Sequence, residues 1–346
     1  MRTNQMVILV ILFCGFSSFL LGEQITLQNG SKVQALKQLK GHTGPVFSLA
    51  FSPDGKRLIS GGSAADHSVR VWDIPGGTQH ALLQGNPKQI AAVSFSADGS
   101  KAFSAGYDGT IRIWDPNSGK QLDMINKAAD GATLPIGNLF TAFSADGTKL
   151  AYSTDGGQGP FLFDVTTRKQ TDLSKALGAS LAQGDVALTT TGDLLALVGG
   201  TDGTIYLIDT KSGKQAALLK PSEKSDASGY VTFSRDSSTL AVSIYESSNI
   251  QSFKVQTKAA GSVLSGHKKN DTGTMMIMGL ALSPDGKMLA SDSQDNSLRI
   301  WDVAGKSLTS LDASAGKGPG AIAWSPDGTV IATGAIDGTI TLWGLK

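Results

Sequence analysis

Seven times along this chain of 346 residues a short apolar run enters a turn of the type Phe-Ser-Pro-Asp-Gly. The runs end at Phe51, Phe95, Phe143, Leu188, Phe233, Leu282 and Trp324, and consecutive ends lie 42 to 49 residues apart. That period fits one antiparallel unit of four strands, which has apolar faces it cannot bury alone. Copies must therefore pack on one another, and the repetition decides the architecture before any other feature does. The same repetition says little about function, because a pattern kept for packing does not reveal what its surface binds.

The first copy shows how the strands arise. Val46 to Phe51 alternates large apolar with small residues, the period of a half-buried strand. Asp54-Gly55 turns the chain, since Gly takes positive φ at no steric cost. Leu58 to Gly62 forms a second strand whose small residues suit close backbone approach. A tight turn at Asp66-His67 leads to a third strand through Val69, Val71 and Trp72, and Gln79 to Leu83 forms the fourth. Similar turns stand at Tyr107-Asp108-Gly109-Thr110, Thr201-Asp202-Gly203-Thr204 and Ile336-Asp337-Gly338-Thr339. The last copy stops after its third strand, at Trp343, while Val33 to Leu39 precedes the first copy with no repeat of its own. Pairing these two ends closes the array into a ring and removes its exposed strand edges. The expectation is an all-β fold of seven four-stranded sheets.

The residues now resemble a known family. Gly41-His42 and Gly266-His267, followed by Trp72-Asp73, Trp114-Asp115 and Trp301-Asp302, are similar to the WD-repeat family of β-propellers. The resemblance covers the chain from about Val33 to Lys346 and implies a seven-bladed propeller. It also implies a buried hydrogen-bonded chain of His, Ser or Thr, Asp and Trp within a blade. Carried over, this places His42, Ser60, Asp66 and Trp72 together in the first copy and His267, Ser291, Asp295 and Trp301 in the sixth. The second copy keeps Ser104, Asp108 and Trp114 but has Gly85-Asn86 in place of Gly-His. Trp-Asp becomes Phe163-Asp164, Ile208-Asp209 and Phe253-Lys254 in the third, fourth and fifth, which are expected to rely on apolar packing.

The N-terminus carries a second signal. Arg2 precedes an uncharged, mostly apolar run from Met6 to Leu21, then Gly22 and Glu23. This is the layout of a secretory signal peptide cut after Gly22. The alternative is an uncleaved membrane anchor, since the run approaches the roughly 20 apolar residues of a span. The expected organisation is a signal peptide at 1–22, a short linker at 23–32 and the propeller at 33–346, exported to a periplasm or the exterior. Phe13 before Cys14 argues against a lipoprotein, and once the leader is removed no cysteine remains for a disulfide. Asn29-Gly30-Ser31 and Asn270-Asp271-Thr272 match the short glycosylation pattern.

Few features carry chemistry. Of 30 Lys and Arg residues only Arg2 lies in the leader, leaving 29 against 29 Asp and Glu. That balance, without a basic block, removes the electrostatic support for nucleic-acid binding. The four histidines are His42, His67, His80 and His267, two of them in Gly-His pairs with a structural reading. No nucleophile elbow, zinc-binding His pair or phosphate loop occurs. Asp292-Ser293-Gln294-Asp295-Asn296 resembles part of a calcium loop but lacks its Gly and Glu. The recurring aspartates read as turn formers. No cofactor or metal is implied, and a monomer is expected.

Function must then lie on the surface. The two longest connections contain Asn126 to Pro135 and Lys268 to Met276. Both lie between a fourth strand and the next first strand, so both emerge on one face, on opposite sides of a central channel. Loops on a rigid scaffold are where binding evolves. Lys268, Lys269, Asn270 and Asp271 followed by Met275 and Met276 mix charge with adaptable apolar side chains, as a contact surface does. Met278 reads as part of the next strand. The resemblance implies a non-catalytic scaffold that holds a protein or peptide partner on this face. The alternative is a secreted propeller enzyme, lactonase-like or dehydrogenase-like, that uses the channel.

Overall fold

Each of the seven apolar runs is the innermost strand of a sheet. The computed structural model describes residues 22–346 except 135, 137–139, 154–158, 178–183, 200–202, 224–228, 245–246, 269–276 and 313–318. The leader proposed for 1–22 lies almost wholly outside this range. The described residues form seven antiparallel sheets of four strands each.

Blade 1 comprises Val46–Phe51, Arg57–Gly62, Val69–Asp73 and Thr78–Leu83. Blade 2 comprises Ile90–Phe95, Ala102–Gly106, Ile111–Trp114 and Gln121–Ile125. Blade 3 comprises Thr141–Phe143, Lys149–Tyr152, Phe161–Asp164 and Gln170–Asp172. Blade 4 comprises Val186–Leu188, Leu194–Gly199, Thr204–Asp209 and Lys214–Leu219. Blade 5 comprises Val231–Phe233, Thr239–Ile244, Asn249–Lys254 and Ala260–Leu264. Blade 6 comprises Ile277–Leu282, Met288–Ser293, Ser297–Asp302 and Lys306–Asp312. Blade 7 takes Pro319–Trp324, Val330–Ala335 and Ile340–Gly344 from the C-terminus, and Gln34–Leu39 from the N-terminus is its outer strand. The closing pair runs antiparallel from Gln34 opposite Gly344 to Leu39 opposite Ile340. The fold is the seven-bladed propeller expected from the repeat, closed by its two ends.

The apolar core lies in the seams between blades. Leu58 and Trp72 of blade 1 pack with Ala332 and Leu342 of blade 7, together with Leu39. Phe103 of blade 2 packs with Leu150 and Phe163 of blade 3. Six of the seven turns after a first strand repeat one hydrogen-bond pattern, and in blade 4 Thr189 keeps only the contact with the N–H five residues on. The Ser52 hydroxyl donates to Asp54 at 2.6 Å and accepts the Arg57 N–H at 2.9 Å. Ser96, Ser144, Ser234, Ser283 and Ser325 do the same with the aspartate two residues on and the N–H five residues on. These aspartates are turn formers, as expected. The Ser96 hydroxyl, with the N–H and hydroxyl of Ser100, holds Asp98 down to about 2.

Residues 23–32, read from the sequence as a short linker, pack against the propeller. The Ile25 N–H donates to the Gly328 carbonyl at 2.9 Å, and Ile25 and Val33 are buried with Met288, Ile300 and Trp343. Asn29 caps this stretch, its carboxamide oxygen accepting the Thr26 N–H at 2.6 Å. Two isolated apolar residues gave no periodic signal, so packing against the seam of blades 6 and 7 could not be read from them.

Leu39 on the closing strand is 1% exposed. Leu39→Ala is expected to destabilise the protein by about 2–5 kcal/mol, read as a lower denaturation midpoint, while Gln38→Ala on the exposed side leaves it unchanged. Equal effects would show that closure does not rest on this strand.

Candidate partner-binding face and the polar chains behind it

In blade 1 the Trp72 indole N–H donates to Ser60 Oγ at 2.8 Å, and Ser60 Oγ lies 2.6 Å from His42 Nε2. His42 Nδ1 pairs with the Asp66 carboxylate. With Nδ1–H donating to Asp66, Nε2 accepts the Ser60 hydroxyl proton, and every buried polar group in the line has a partner. Blade 6 repeats this with Trp301 on Ser291 at 2.8 Å, Ser291 on His267 at 2.7 Å and His267 on Asp295 at 3.1 Å. Burial raises the Asp295 carboxyl, but His267, Ser297 and the Lys268 N–H outweigh it and hold the group well below the usual range. Burial likewise opposes, without overcoming, the His42, Ser68 and Arg70 influences that lower Asp66.

Blade 2 keeps Trp114 on Ser104 at 2.9 Å but has no imidazole. The buried Arg112 guanidinium fills the gap and donates to Asn86 Oδ1 and Asp108 Oδ2, each at 2.9 Å. Sequence reading missed a fourth pair, Trp343 Nε1–H on Thr333 Oγ1 at 2.8 Å in blade 7. The partner position covaries with the ring. Ser or Thr stands there wherever the third strand carries Trp, whereas Tyr152, Leu197 and Val242 hold the equivalent position in the blades of Phe163, Ile208 and Phe253, two residues on from their ladder partners Leu150, Leu195 and Leu240. A buried indole N–H needs an acceptor and a phenyl or alkyl group does not.

These chains stiffen the face onto which the connections between blades emerge. The first long connection is not a free loop. Residues 126–134 form a small hairpin joined at Lys127 and Thr133, and Ala128 and Leu134 are buried against blades 2 and 3. Of the second connection, Lys268 donates its N–H to Asp295 at 2.9 Å. Lys269, Asn270, Asp271, Met275 and Met276 lie outside the described residues.

The same face carries apolar groups that the sequence did not reveal. The ladder between the first two strands of blade 1 shifts register between Val46 and Ser48, which leaves Phe47 out of the pairing and 40% exposed. A matching shift in blade 6 leaves out Met278, which is half-buried. Met278 belongs to the strand, as read, but to its bulge. Bulges of this kind re-aim a side chain. Ile336, in the turn between the second and third strands of blade 7, is 51% exposed on that face.

Two carboxylates on this side are not turn formers, which corrects the sequence reading for Asp292 and adds Asp185, which that reading did not single out. Asp292 lies within the strand Met288–Ser293 and is 1% exposed. Burial pushes it up to about 7, against its own backbone N–H. Asp185 stands just before Val186–Leu188, and burial also pushes it up to about 7, against the N–H groups of Val231 and Val186. At the opposite end the channel opens as a cavity of about 350 Å³, walled by first strands of all seven blades, with Arg235 the one charged side chain among its described lining residues. Among the described residues no group of three or more His, Cys, Asp or Glu side chains gathers as a metal site would.

Comparison with known proteins agrees with this geometry. The family described as WD domain, G-beta repeat matches residues 33–73, 77–115, 260–302 and 305–344. The matched segments carry Trp72, Trp114, Trp301 and Trp343, and the unmatched middle is the part that lacks the indole. Protein tipD of Dictyostelium discoideum is 24% identical over 284 residues, 80% of this chain and 43% of that protein. Transducin beta-like protein 3 of Bos taurus is 27% identical over 276 residues, 76% of this chain and 32% of that protein. WD repeat-containing protein 18 of Rattus norvegicus is 26% identical over 272 residues, 76% of this chain and 51% of that protein. The chain thus spans less than half the length of the first two. The β-propeller domain of Cps50 (Swd1) from Myceliophteria thermophila shares the fold, with a TM-score of 0.71 at 18% identity over 91% of this chain and 100% of that one. The chain belongs to the WD-repeat family of β-propellers.

Two measurements check the account. Trp301→Phe is expected to cost about 1 kcal/mol by losing its hydrogen bond, whereas Phe253→Trp, which sets an indole N–H near Val242, costs about 1–3 kcal/mol. A stabilising Phe253→Trp would contradict the covariation argument. Asp292 and Asp185 are raised in the folded state above their unfolded value, so their burial is free of penalty below about pH 4 and increasingly destabilising up to about pH 7. Asp292→Asn should therefore raise stability by about 2–4 kcal/mol at pH 8 and leave it unchanged near pH 4, measured by denaturant titration.

Proposed function

We propose that the protein is a non-catalytic scaffold that holds a protein or peptide partner on the face where the connections between blades emerge, and that it does so after export from the cytoplasm. The observation that carries the reading is the set of apolar groups that the bulges and turns expose there, Phe47, Met278 and Ile336, around a rigid ring. Interfaces draw on aromatic and Met side chains of this kind. WD-repeat relatives support a scaffold as well. The Ser60 and Ser291 hydroxyls that His42 and His267 hold are fully buried under Trp72 and Trp301, out of reach of a substrate. Export rests on the apolar segment Met6 to Leu21.

Affinity capture from an envelope or secreted fraction tests the reading, with the mature chain from Glu23 as bait. Variants Phe47→Glu and a shortened 269–275 connection are run beside it. Partners are expected on the intact chain and lost from both variants at unchanged thermal melts. Capture that survives both changes places the working surface elsewhere. The first long connection is left intact, since Ala128 and Leu134 belong to the core.

A further inference from the structure

The mouth of the channel on this same face holds carboxylates that no basic side chain among the described residues pairs with. Where blades 1, 2 and 7 carry Gly61, Ala105 and Gly334, blade 6 carries Asp292. Gly279 opposite makes the room, since a Cβ there would stand 2.8 Å from Asp292 Oδ1. Both carboxylate oxygens are buried without a hydrogen-bond partner, as is Gln294 Oε1 in the turn that follows. Burial and its own backbone N–H are the influences on Asp292, and no basic side chain is among them. A buried carboxylate without a partner is rare in a folded protein and calls for an explanation.

A second carboxylate converges on the same place from blade 4. Asp185 Oδ2 accepts the Val231 N–H at 2.8 Å, one residue from Tyr230. Tyr230 is half-buried, with its own N–H held by Ser243 Oγ at 2.7 Å. Its phenol is raised to about 12 by burial and then by the charges of Asp185 and Asp292 and by Tyr107 of blade 2. Groups from blades 2, 4 and 6 thus act on one ring of blade 5. Phe47 and Met278 stand out of their ladders at the same end of the first strands. The site offers negative field, spare acceptors and aromatic faces, so its complement is a cation that carries N–H donors on an apolar stem. Lysine and arginine side chains have that form, and aromatic faces attract their heads.

We propose that the channel mouth around Tyr230, Asp185 and Asp292 binds a basic side chain, lysine or arginine, of a polypeptide partner. The inference rests on the scaffold reading and adds the chemistry of what is held. The cation stands beside Tyr230, and the two enclosed carboxylates hold it through their field.

The test uses the intact protein and three small probes: the N-acetyl N-methylamides of lysine, arginine and glutamine. Backbone amide shifts of Val231 and Gly279 are followed by NMR at pH 8. Saturable shifts are expected with the lysine or arginine probe, and the stronger of the two tells which head group the site prefers. The glutamine probe should leave these amides unmoved. Asp292→Asn and, separately, Asp185→Asn should weaken the basic probe at least tenfold, with the remaining spectrum unchanged. Equal titration by glutamine, no titration by either basic probe, or undiminished binding in Asp292→Asn would overturn the proposal. Probe binding without partner capture would sink the scaffold reading alone, and capture without probe binding would sink this one alone.

Discussion

The antiparallel pairing of Gln34–Leu39 with Ile340–Gly344 is the contact on which the rest of the ring depends. Every other blade is continuous in sequence and meets its neighbours through a seam of apolar side chains. Blade 7 is built from both ends of the domain, so its outer strand links residues some 300 apart in the chain. With that strand in place no blade is left without a neighbour on either side. The Leu39 side chain is shared between the sheet it completes and the seam with blade 1, which couples closure to packing.

Within the ring, blades are held in two ways. Blades 1, 2, 6 and 7 set an indole N–H on a hydroxyl, extended in blades 1 and 6 to an imidazole and a carboxylate. Blades 3, 4 and 5 use Phe163, Ile208 and Phe253 against apolar or phenolic partners. The first solution is directional and fixes the turn that bears Asp66 or Asp295. The second depends on volume. The face around blades 6, 7 and 1, where the apolar groups stand out, is thus backed by the directional kind.

Much of the fold was legible because it repeats. The seven run-ending residues from Phe51 to Trp324 are the last residues of the seven first strands, and a turn that needs Ser, Asp and Gly leaves a plain mark. The candidate site was less legible because its features break the repeat. Phe47 and Met278 look like ordinary members of alternating strands, and only the register shift beside each turns them outward. Asp292 sits next to turn aspartates and reads as one of them. Its burial follows from pairing with Gly279, which no local pattern shows. Thr333 and Trp343 were missed as a pair because the repeat ends in Trp-Gly and carries Thr in place of Ser. Ile25 packs through tertiary context alone.

The scaffold we propose holds its partner on the face bearing Phe47 and Ile336 and not on the outer rim. Site-specific photo-crosslinking in the native compartment tests it directly, with a photoreactive residue placed in turn at positions 47, 336, 122 and 218. Leu122 and Leu218 are exposed apolar residues on outer strands and so match the face in chemistry but not in place. Crosslinks to a common protein from 47 and 336, with none from 122 or 218, are the predicted result. Crosslinks confined to the outer strands would contradict the account.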